Sequence, residues 1–152
     1  MKIILRFVIV VSSIIGFGCQ HHHEKSFSMN SVTKPISDLK QQVIECGDSC
    51  AYEDLKIQLL DFVYGSEDLL SYAMIMANKY DYTQAYFDVF DCLTIPYLPD
   101  ISHIDSKTAQ IALEYLLVAA EKGHEQASDI VVSCSITPNC SNPVAQICKI
   151  YQ

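Results

Sequence analysis

The residues best suited to chemistry in this 152-residue chain are its five histidines and seven cysteines. Three histidines are consecutive, at 21–23, and adjacent imidazoles in a polar stretch lack the fixed geometry of a metal site. His124-Glu125 has no second histidine at the spacing of a zinc-binding helix. His103 could act as a base toward a cysteine thiol, but it stands in a proline-flanked stretch. We therefore predict no catalytic residue, no metal site and no cofactor, and we expect that the protein is not an enzyme.

The number of cysteines favours an exported protein over a cytosolic one. Cys19 follows an apolar leader, and the six others form an even set, which indicates disulfides after export. These disulfide candidates are Cys46, Cys50, Cys92, Cys134, Cys140 and Cys148. A zinc site is the alternative, but neither Cys46-x3-Cys50 nor Cys140-x7-Cys148 has the CxxC spacing of structural zinc. The sequence does not choose among the possible pairings.

Carboxylates and tyrosines are concentrated in the middle of the chain and suggest a surface for a partner. The candidate residues are Asp81, Tyr82, Tyr86, Asp88 and Asp91. Tyrosine is common in protein interfaces, and acidic groups speed the encounter with an oppositely charged protein. Two alternatives remain open: the tyrosines fill the core, and the carboxylates form a solvated face. Paired carboxylates also hydrolyse glycosides, but helical spacing alone does not assign that chemistry.

Residues 1–18 have the pattern of a secretory signal peptide. Lys2 and Arg6 accompany an apolar run at 7–18, which is shorter than the roughly 20 residues that span a bilayer. The run ends in a glycine just before Cys19, which resembles the lipobox of bacterial lipoproteins, although Gly16 stands where that motif usually has Leu. The resemblance implies cleavage before Cys19, a lipid on its thiol and a location in the bacterial periplasm. The alternative is an ordinary cleaved signal with an incidental cysteine.

The segment after Cys19 and the overall charge refine this prediction. Gln20 replaces the Asp that favours inner-membrane retention of enterobacterial lipoproteins, so we expect an anchor in the outer membrane. The stretch 19–34 comprises the lipidated cysteine and a polar tether, and 35–152 forms one domain. The formal net charge is −8, and the only arginine lies in the leader, so the domain offers no basic footprint for nucleic acid.

Residues 35–152 have the pattern of an all-α domain, because apolar side chains recur at helical spacing between turn signals. Gly47 and Gly123 are expected to end helices, and Pro143 to begin one. The predicted helices cover 35–46, 52–63, 66–79, 82–93, 106–122, 125–135 and 143–150. Ser106 is the expected cap of the fifth helix, and 94–105 is an expected loop with two prolines. The stretch 131–136 could form a strand, but the helix start before it favours a helix.

One helix pair carries a repeat motif, made of Ala112, Tyr115, Ala119, Ala120, Gly123, Ala127 and Val131. The pattern resembles the Sel-one-like repeat, a relative of the tetratricopeptide repeat. In this motif the glycine permits a left-handed turn, and the alanines let two helices pack closely. Val132 stands where the family usually has Gly, and a weaker copy at 70–89 has Asp81 in place of the turn glycine. A generic small helical bundle is the alternative.

The resemblance implies short antiparallel hairpins of the tetratricopeptide type, whose grooves bind proteins. Secreted relatives also carry a cysteine pair spaced as Cys140-x7-Cys148. Periplasmic lipoproteins with such repeats include neutralisers of antibacterial toxins, among them toxins delivered by type VI secretion. We therefore expect a lipid-anchored immunity protein whose partner is a secreted toxin. The alternatives are an envelope scaffold or assembly lipoprotein and, from the enzyme class, a cell-wall or β-lactam-binding protein.

Overall fold

The computed structural model describes residues 34–61, 65–138 and 140–152 of the chain. These residues form seven α-helices and no strand. The helices are α1 (Ile36–Cys46), α2 (Ser49–Asp61), α3 (Gly65–Tyr80), α4 (Thr83–Thr94), α5 (Ser106–Glu121), α6 (Glu125–Ser133) and α7 (Pro143–Ile150). Two single-turn 3-10 helices, Ile95–Tyr97 and Ile101–His103, occupy the predicted loop between α4 and α5. The all-α prediction is thus confirmed for this part of the chain.

The start of α5 differs by one residue from the sequence prediction. Asp105 is the cap, because its Oδ1 accepts the backbone N–H groups of Lys107 and Thr108, both at 3.0 Å. Ser106 is instead the first helical residue. A carboxylate satisfies two otherwise unpaired donors at the positive end of the helix, so Asp is the stronger cap here. The strand considered for 131–136 is absent from the described residues, since α6 continues to Ser133.

Helices that are consecutive in the chain pack against one another from α1 to α6. In addition, α1 contacts α3, and α7 contacts both α5 and the second 3-10 helix. The most extensive packing is that of α4, which lies against α3 on one side and α5 on the other. This central position makes α4 the element that joins the two halves of the core.

Two clusters of buried side chains form that core. The first includes Leu39, Val43, Tyr52, Leu55, Leu59, Ala73, Met76, Ala85 and Val89 from α1 to α4. The second includes Phe87, Phe90, Leu113, Leu116, Ala119, Ala127, Ile136 and Ile147 from α4 to α7. Because α4 supplies residues to both clusters from different faces, its polar positions lie close to buried groups on each side.

The turn between α1 and α2 is closed by a glycine in the left-handed conformation. Gly47 has φ +64°, and its N–H donates to the carbonyl of Val43 at 3.2 Å. The ring of Tyr80 lies directly against this glycine, and the Tyr80 hydroxyl donates to the carbonyl of Ile44 at 2.8 Å. The Lys79 ammonium donates to the same carbonyl at 3.0 Å. The end of α3 is therefore fastened to the end of α1 at a point that has no room for a Cβ.

Candidate functional site

The predicted repeat motif lies on α5 and α6 and has the turn geometry that its pattern requires. Gly123 has φ +85°, and its N–H donates to the carbonyl of Ala120 at 3.0 Å. The next N–H, that of His124, reaches the carbonyl of Ala119 at 2.9 Å. These two bonds form a Schellman motif that ends α5 and turns the chain into α6. Ala127 is fully buried, which lets α6 lie close against α5.

The remaining motif residues are either buried or half-buried. Ala112 is fully buried, whereas Val131 is half-buried at the edge of the second cluster. Tyr115 is also half-buried, and its hydroxyl accepts a hydrogen bond of 2.7 Å from the Asn78 amide of α3. Its ring lies 6.0 Å from that of Tyr86, centroid to centroid. Tyr115 therefore connects α5 with both α3 and α4.

The turn between α3 and α4 places Asp81 where α5 and α6 have Gly123. Asp81 adopts the left-handed conformation with φ +57°, which Asp tolerates better than most residues. Its carboxylate accepts from the Tyr86 hydroxyl at 2.9 Å and from the Lys122 ammonium at 2.6 Å. Hydrogen bonding to Lys122 holds the pKa of Asp81 below its usual range. The ion pair between Asp81 and Lys122 thus joins the α3–α4 turn to the α5–α6 turn.

Asp88 lies inside the domain, although the sequence placed it on a candidate partner surface. Only 6% of the residue is exposed, and its carboxylate accepts from the Tyr52 hydroxyl at 2.7 Å. The Lys56 ammonium donates to both of its oxygens at 3.2 Å, and the Gln84 amide donates at 3.0 Å. Burial and the Asp88 charge raise the pKa of the Tyr52 hydroxyl, so that group stays protonated. The Asp88 carboxylate is hydrogen-bonded within the domain and is not accessible to another protein.

The other surface candidates are only partly accessible. Asp81 retains 68% of its side-chain exposure, whereas Tyr82, Tyr86 and Asp91 are half-buried. The Tyr82 hydroxyl donates to a Glu53 carboxylate oxygen at 3.2 Å, and burial raises its pKa to about 12. Burial also raises the pKa of Asp91 to about 6. Asp81, Tyr82 and Tyr86 lie together around the α3–α4 turn, so this turn is the accessible part of the predicted surface.

His124 is a structural centre that the sequence analysis did not identify. Its Nδ1 accepts the backbone N–H of Ala127 at 3.2 Å, which makes it the cap of α6. Its Nε2 lies 2.9 Å from the side-chain oxygen of Gln84. The ring stacks on Phe87 with 4.5 Å between centroids, and burial lowers the pKa of the imidazole. The signal in the sequence was its place between a turn glycine and an acidic first helical residue, which is a cap position.

Three lysines of the described residues, Lys56, Lys79 and Lys122, are engaged by groups of the domain itself. Lys56 pairs with both Asp88 and Glu53, and Lys122 pairs with Asp81. The Lys79 ammonium lies 4.7 Å above the Tyr80 ring centroid and donates to a backbone carbonyl. Within the described residues, no ion pair forms to the exposed carboxylates Glu121, Glu125 and Asp129. The resulting surface is acidic near the start of α6.

The six cysteines of the described residues are thiols in this structure. Cys46 and Cys50 are exposed on either side of the α1–α2 turn, and Cys92 is buried, which raises its thiol pKa to about 12. The other three border the second core cluster: Cys134, Cys140 and Cys148. The sulfur of Cys134 lies 3.7 Å from the carbonyl oxygen of residue 149, beside Cys148.

The described surface includes a depression beside α5 and α7 and another beside the start of α6. One, of about 340 Å³, is lined by Gln110, Leu113, Glu114, Leu117, Thr137, Pro138, Cys140 and Pro143. The other, of about 460 Å³, is lined by Gln84, His124, Glu125, Gln126 and Asp129. Across residues 34–61, 65–138 and 140–152, no three His, Cys, Asp or Glu side chains are grouped to hold a metal ion. The helices of this part of the chain include none with the length and apolar character needed to cross a membrane.

Comparison of the chain with known protein families, curated proteins and solved structures gives no match. The likeness to the Sel-one-like repeat therefore rests on the helix pair around Gly123 and on the Asp81 turn. The predicted signal peptide at 1–18, the lipidation site Cys19 and the tether up to residue 33 lie outside the described residues.

Proposed function

We propose that the protein is a periplasm-facing lipoprotein that binds another protein, most specifically an immunity protein that neutralises an antibacterial toxin of the type VI secretion type. Cys19 is the anchor, and 20–34 is a tether that lets the domain reach its partner. The pairs α3–α4 and α5–α6 would be the two tetratricopeptide-like hairpins of this proposal. The step from binding to immunity comes from the resemblance to repeat lipoproteins that neutralise toxins.

The observation that carries the binding proposal is the linkage between the α3–α4 turn and the α5–α6 turn. Asp81 and Gly123 both adopt left-handed conformations, and Lys122 joins the two turns through its 2.6 Å ion pair with Asp81. Tyr86 adds a hydroxyl bond to the same carboxylate and lies beneath the Lys122 ammonium. Two helix pairs that are aligned at one end leave a continuous edge for a partner, as in stacked repeats.

Charge favours a basic partner. The exposed carboxylates near the start of α6 form no ion pair with a lysine of the described residues, whereas Lys122 is paired with Asp81 and Lys56 with Asp88. A surface of one sign increases the rate of association with an oppositely charged protein and selects against acidic proteins. A toxin with a basic cleft is such a partner, and an acidic helical surface would cover that cleft.

Disulfide bracing is part of the same proposal, because an exported domain meets an oxidising compartment. The three thiols that border the second core cluster lie where α6, the following loop and α7 meet. A bond between Cys134 or Cys140 and Cys148 would tie α7, which otherwise packs mainly against α5, to the preceding segment. Such a bond would limit opening of the short C-terminal helix.

The experiment that tests the proposal is purification of partners with residues 20–152 under oxidising conditions, followed by a toxicity assay. We expect one tight partner whose toxicity disappears when the domain is added at equal concentration. Asp81→Asn removes the charge at the α3–α4 turn but keeps a residue that tolerates the left-handed conformation. It should weaken binding about tenfold, whereas Asp100→Asn, at an acid of similar exposure, should leave affinity unchanged.

The two alternatives give different results in the same experiment. An envelope scaffold would recover several stable envelope proteins and no toxic activity. A cell-wall or β-lactam-binding enzyme would recover no protein partner and would show turnover that stays with the purified domain. Either outcome would contradict the immunity proposal.

A further inference from the structure

His124 makes two hydrogen bonds that require a neutral imidazole in one tautomer. The backbone N–H of Ala127 points at Nδ1 across 3.2 Å, so Nδ1 must present its lone pair. The proton of the neutral ring is then on Nε2, which donates to the side-chain oxygen of Gln84 at 2.9 Å. Both nitrogens are satisfied in this state, and Phe87 covers one face of the ring.

The tautomer of His124 is coupled to the buried carboxylate of α4. Because the Gln84 oxygen accepts from the imidazole, its amide nitrogen is free to donate to Asp88 at 3.0 Å. The Asp88 carboxylate also accepts hydrogen bonds from the Tyr52 hydroxyl and the Lys56 ammonium of α2. One continuous set of hydrogen bonds therefore joins α2, α4 and the first turn of α6.

A second proton on His124 would break this set at its α6 end. Imidazolium has donors on both nitrogens, so the Ala127 N–H would lose its acceptor and face another N–H. A positive charge would also stand at the positive end of α6, which is unfavourable. The α6 cap would be lost even if the Gln84 bond survived.

The charged groups around the ring do not cancel this effect. Asp88 of α4 favours the imidazolium, and Lys56 of α2 opposes it. Glu125 and Asp129 line the open depression beside the ring on its own helix, and Lys122 at the end of α5 is directed to the Asp81 carboxylate. Burial is the largest influence, and the net result is a lowered pKa.

We propose that His124 is an acid-operated latch, which holds the first turn of α6 to α4 while the imidazole is neutral and releases it when the ring is protonated. The direction in pH follows from linkage. The folded protein binds this proton less readily than the unfolded chain, whose histidine titrates near 6.5. The contribution of the latch to stability is present above that pH and is lost as the pH falls toward the folded pKa. Within this window the folding equilibrium constant falls by up to about tenfold per pH unit.

The test compares the full chain with His124→Asn and with the matched control His103→Asn. Asn caps a helix without titrating, so His124→Asn loses the Gln84 and Phe87 contacts by the same amount at every pH. His103 has 77% of its side chain exposed and serves as the control. Urea unfolding is measured from about pH 8 to about pH 5. Asp91, which also titrates near 6, is present in all three proteins and cancels in the comparison.

We expect the wild type and His103→Asn to lose stability in parallel below about pH 6.5. The ratio of their folding equilibrium constants to that of His124→Asn should then fall by up to about tenfold per pH unit. In NMR spectra of the wild type, the Ala127 amide proton should shift with the same midpoint as the His124 ring, and that midpoint should lie below 6.5. A gap to His124→Asn that stays constant over the whole range would overturn the proposal. A His124 midpoint at or above 6.5, or an Ala127 amide that does not follow it, would overturn it as well.

Discussion

Replacing Gly47 or Gly123 by alanine separates backbone strain from steric overlap. Both glycines have positive φ, at +64° and +85°, so a Cβ at either site costs about 1–2 kcal/mol in strain. A Cβ at Gly123 would meet no atom within 4 Å. A Cβ at Gly47 would overlap Cγ and Cδ1 of Tyr80, which lie near the backbone of α3 and cannot swing away. The two substitutions therefore share the backbone strain and differ in the steric overlap with the Tyr80 ring.

We expect Gly123→Ala to lower the free energy of unfolding by about 1 kcal/mol. Gly47→Ala should lower it by about 3 kcal/mol or more, because overpacking adds about 1–3 kcal/mol to the same strain. Urea unfolding of the full chain, followed by far-UV circular dichroism, measures both values. The loss of glycine entropy in the unfolded chain is the same for both variants and cancels in their difference.

Tyr80→Ala supplies the control, since it removes the ring that would be overlapped. In that background Gly47→Ala should cost only about 1 kcal/mol, as at Gly123, and the double-mutant cycle should show strong coupling between the two sites. Equal costs for the two glycine substitutions in the wild-type background would refute the reasoning. They would mean that α3 does not end against the α1–α2 turn.

Three further predictions concern charge and covalent state. Asp88→Ala should cost about 2–4 kcal/mol in unfolding free energy, because the buried Tyr52 hydroxyl loses its acceptor and the Lys56 ammonium keeps only Glu53 as an ion partner. The control Asp129→Ala, at an exposed carboxylate with no ion pair among the described residues, should cost less than about 0.5 kcal/mol. Asp91→Asn should be more stable than the wild type at pH 7 by about 1–2 kcal/mol. The reason is the raised pKa of the Asp91 carboxyl, because of which the wild type loses stability as the pH rises from about 4 to about 6. Equal stability of the two proteins at every pH would contradict this. After export, the full chain should carry a lipid label, and Cys19→Ser should abolish that label; an unlabelled wild type would contradict the lipid anchor. Non-reducing peptide mapping of the exported protein should recover disulfide-linked peptides, and a full set of free thiols would contradict the disulfides.

Much of the fold could be predicted from the sequence because the helices carry local signals. Helix α7 was predicted with its observed ends, since Pro143 is a strong first residue, and the breaks at Gly47 and Gly123 were also read from single residues. The α5 cap was misplaced by one residue because Asp105 and Ser106 are both good capping residues. Only the geometry shows which side chain reaches the free N–H groups.

The polar interior could not be predicted in the same way, because it depends on contacts between distant segments. Asp88 reads as a surface acid on a helix, and its burial becomes visible only when Lys56 and Tyr52 of α2 are placed beside it. The role of His124 was missed for the same reason. Its capping bond to the Ala127 N–H is local in sequence, but its hydrogen bond to Gln84 joins two distant helix pairs. The sequence thus placed Asp88 on a surface, whereas the fold builds a buried network around it.

The most direct test of the central claim is survival of a strain that lacks the gene, grown in contact with wild-type siblings and with siblings that cannot secrete their toxins. We expect the deletion strain to be killed only by the secreting siblings, and the full chain to restore survival when it is supplied in trans. A deletion strain that survives equally well beside both siblings would contradict the immunity proposal.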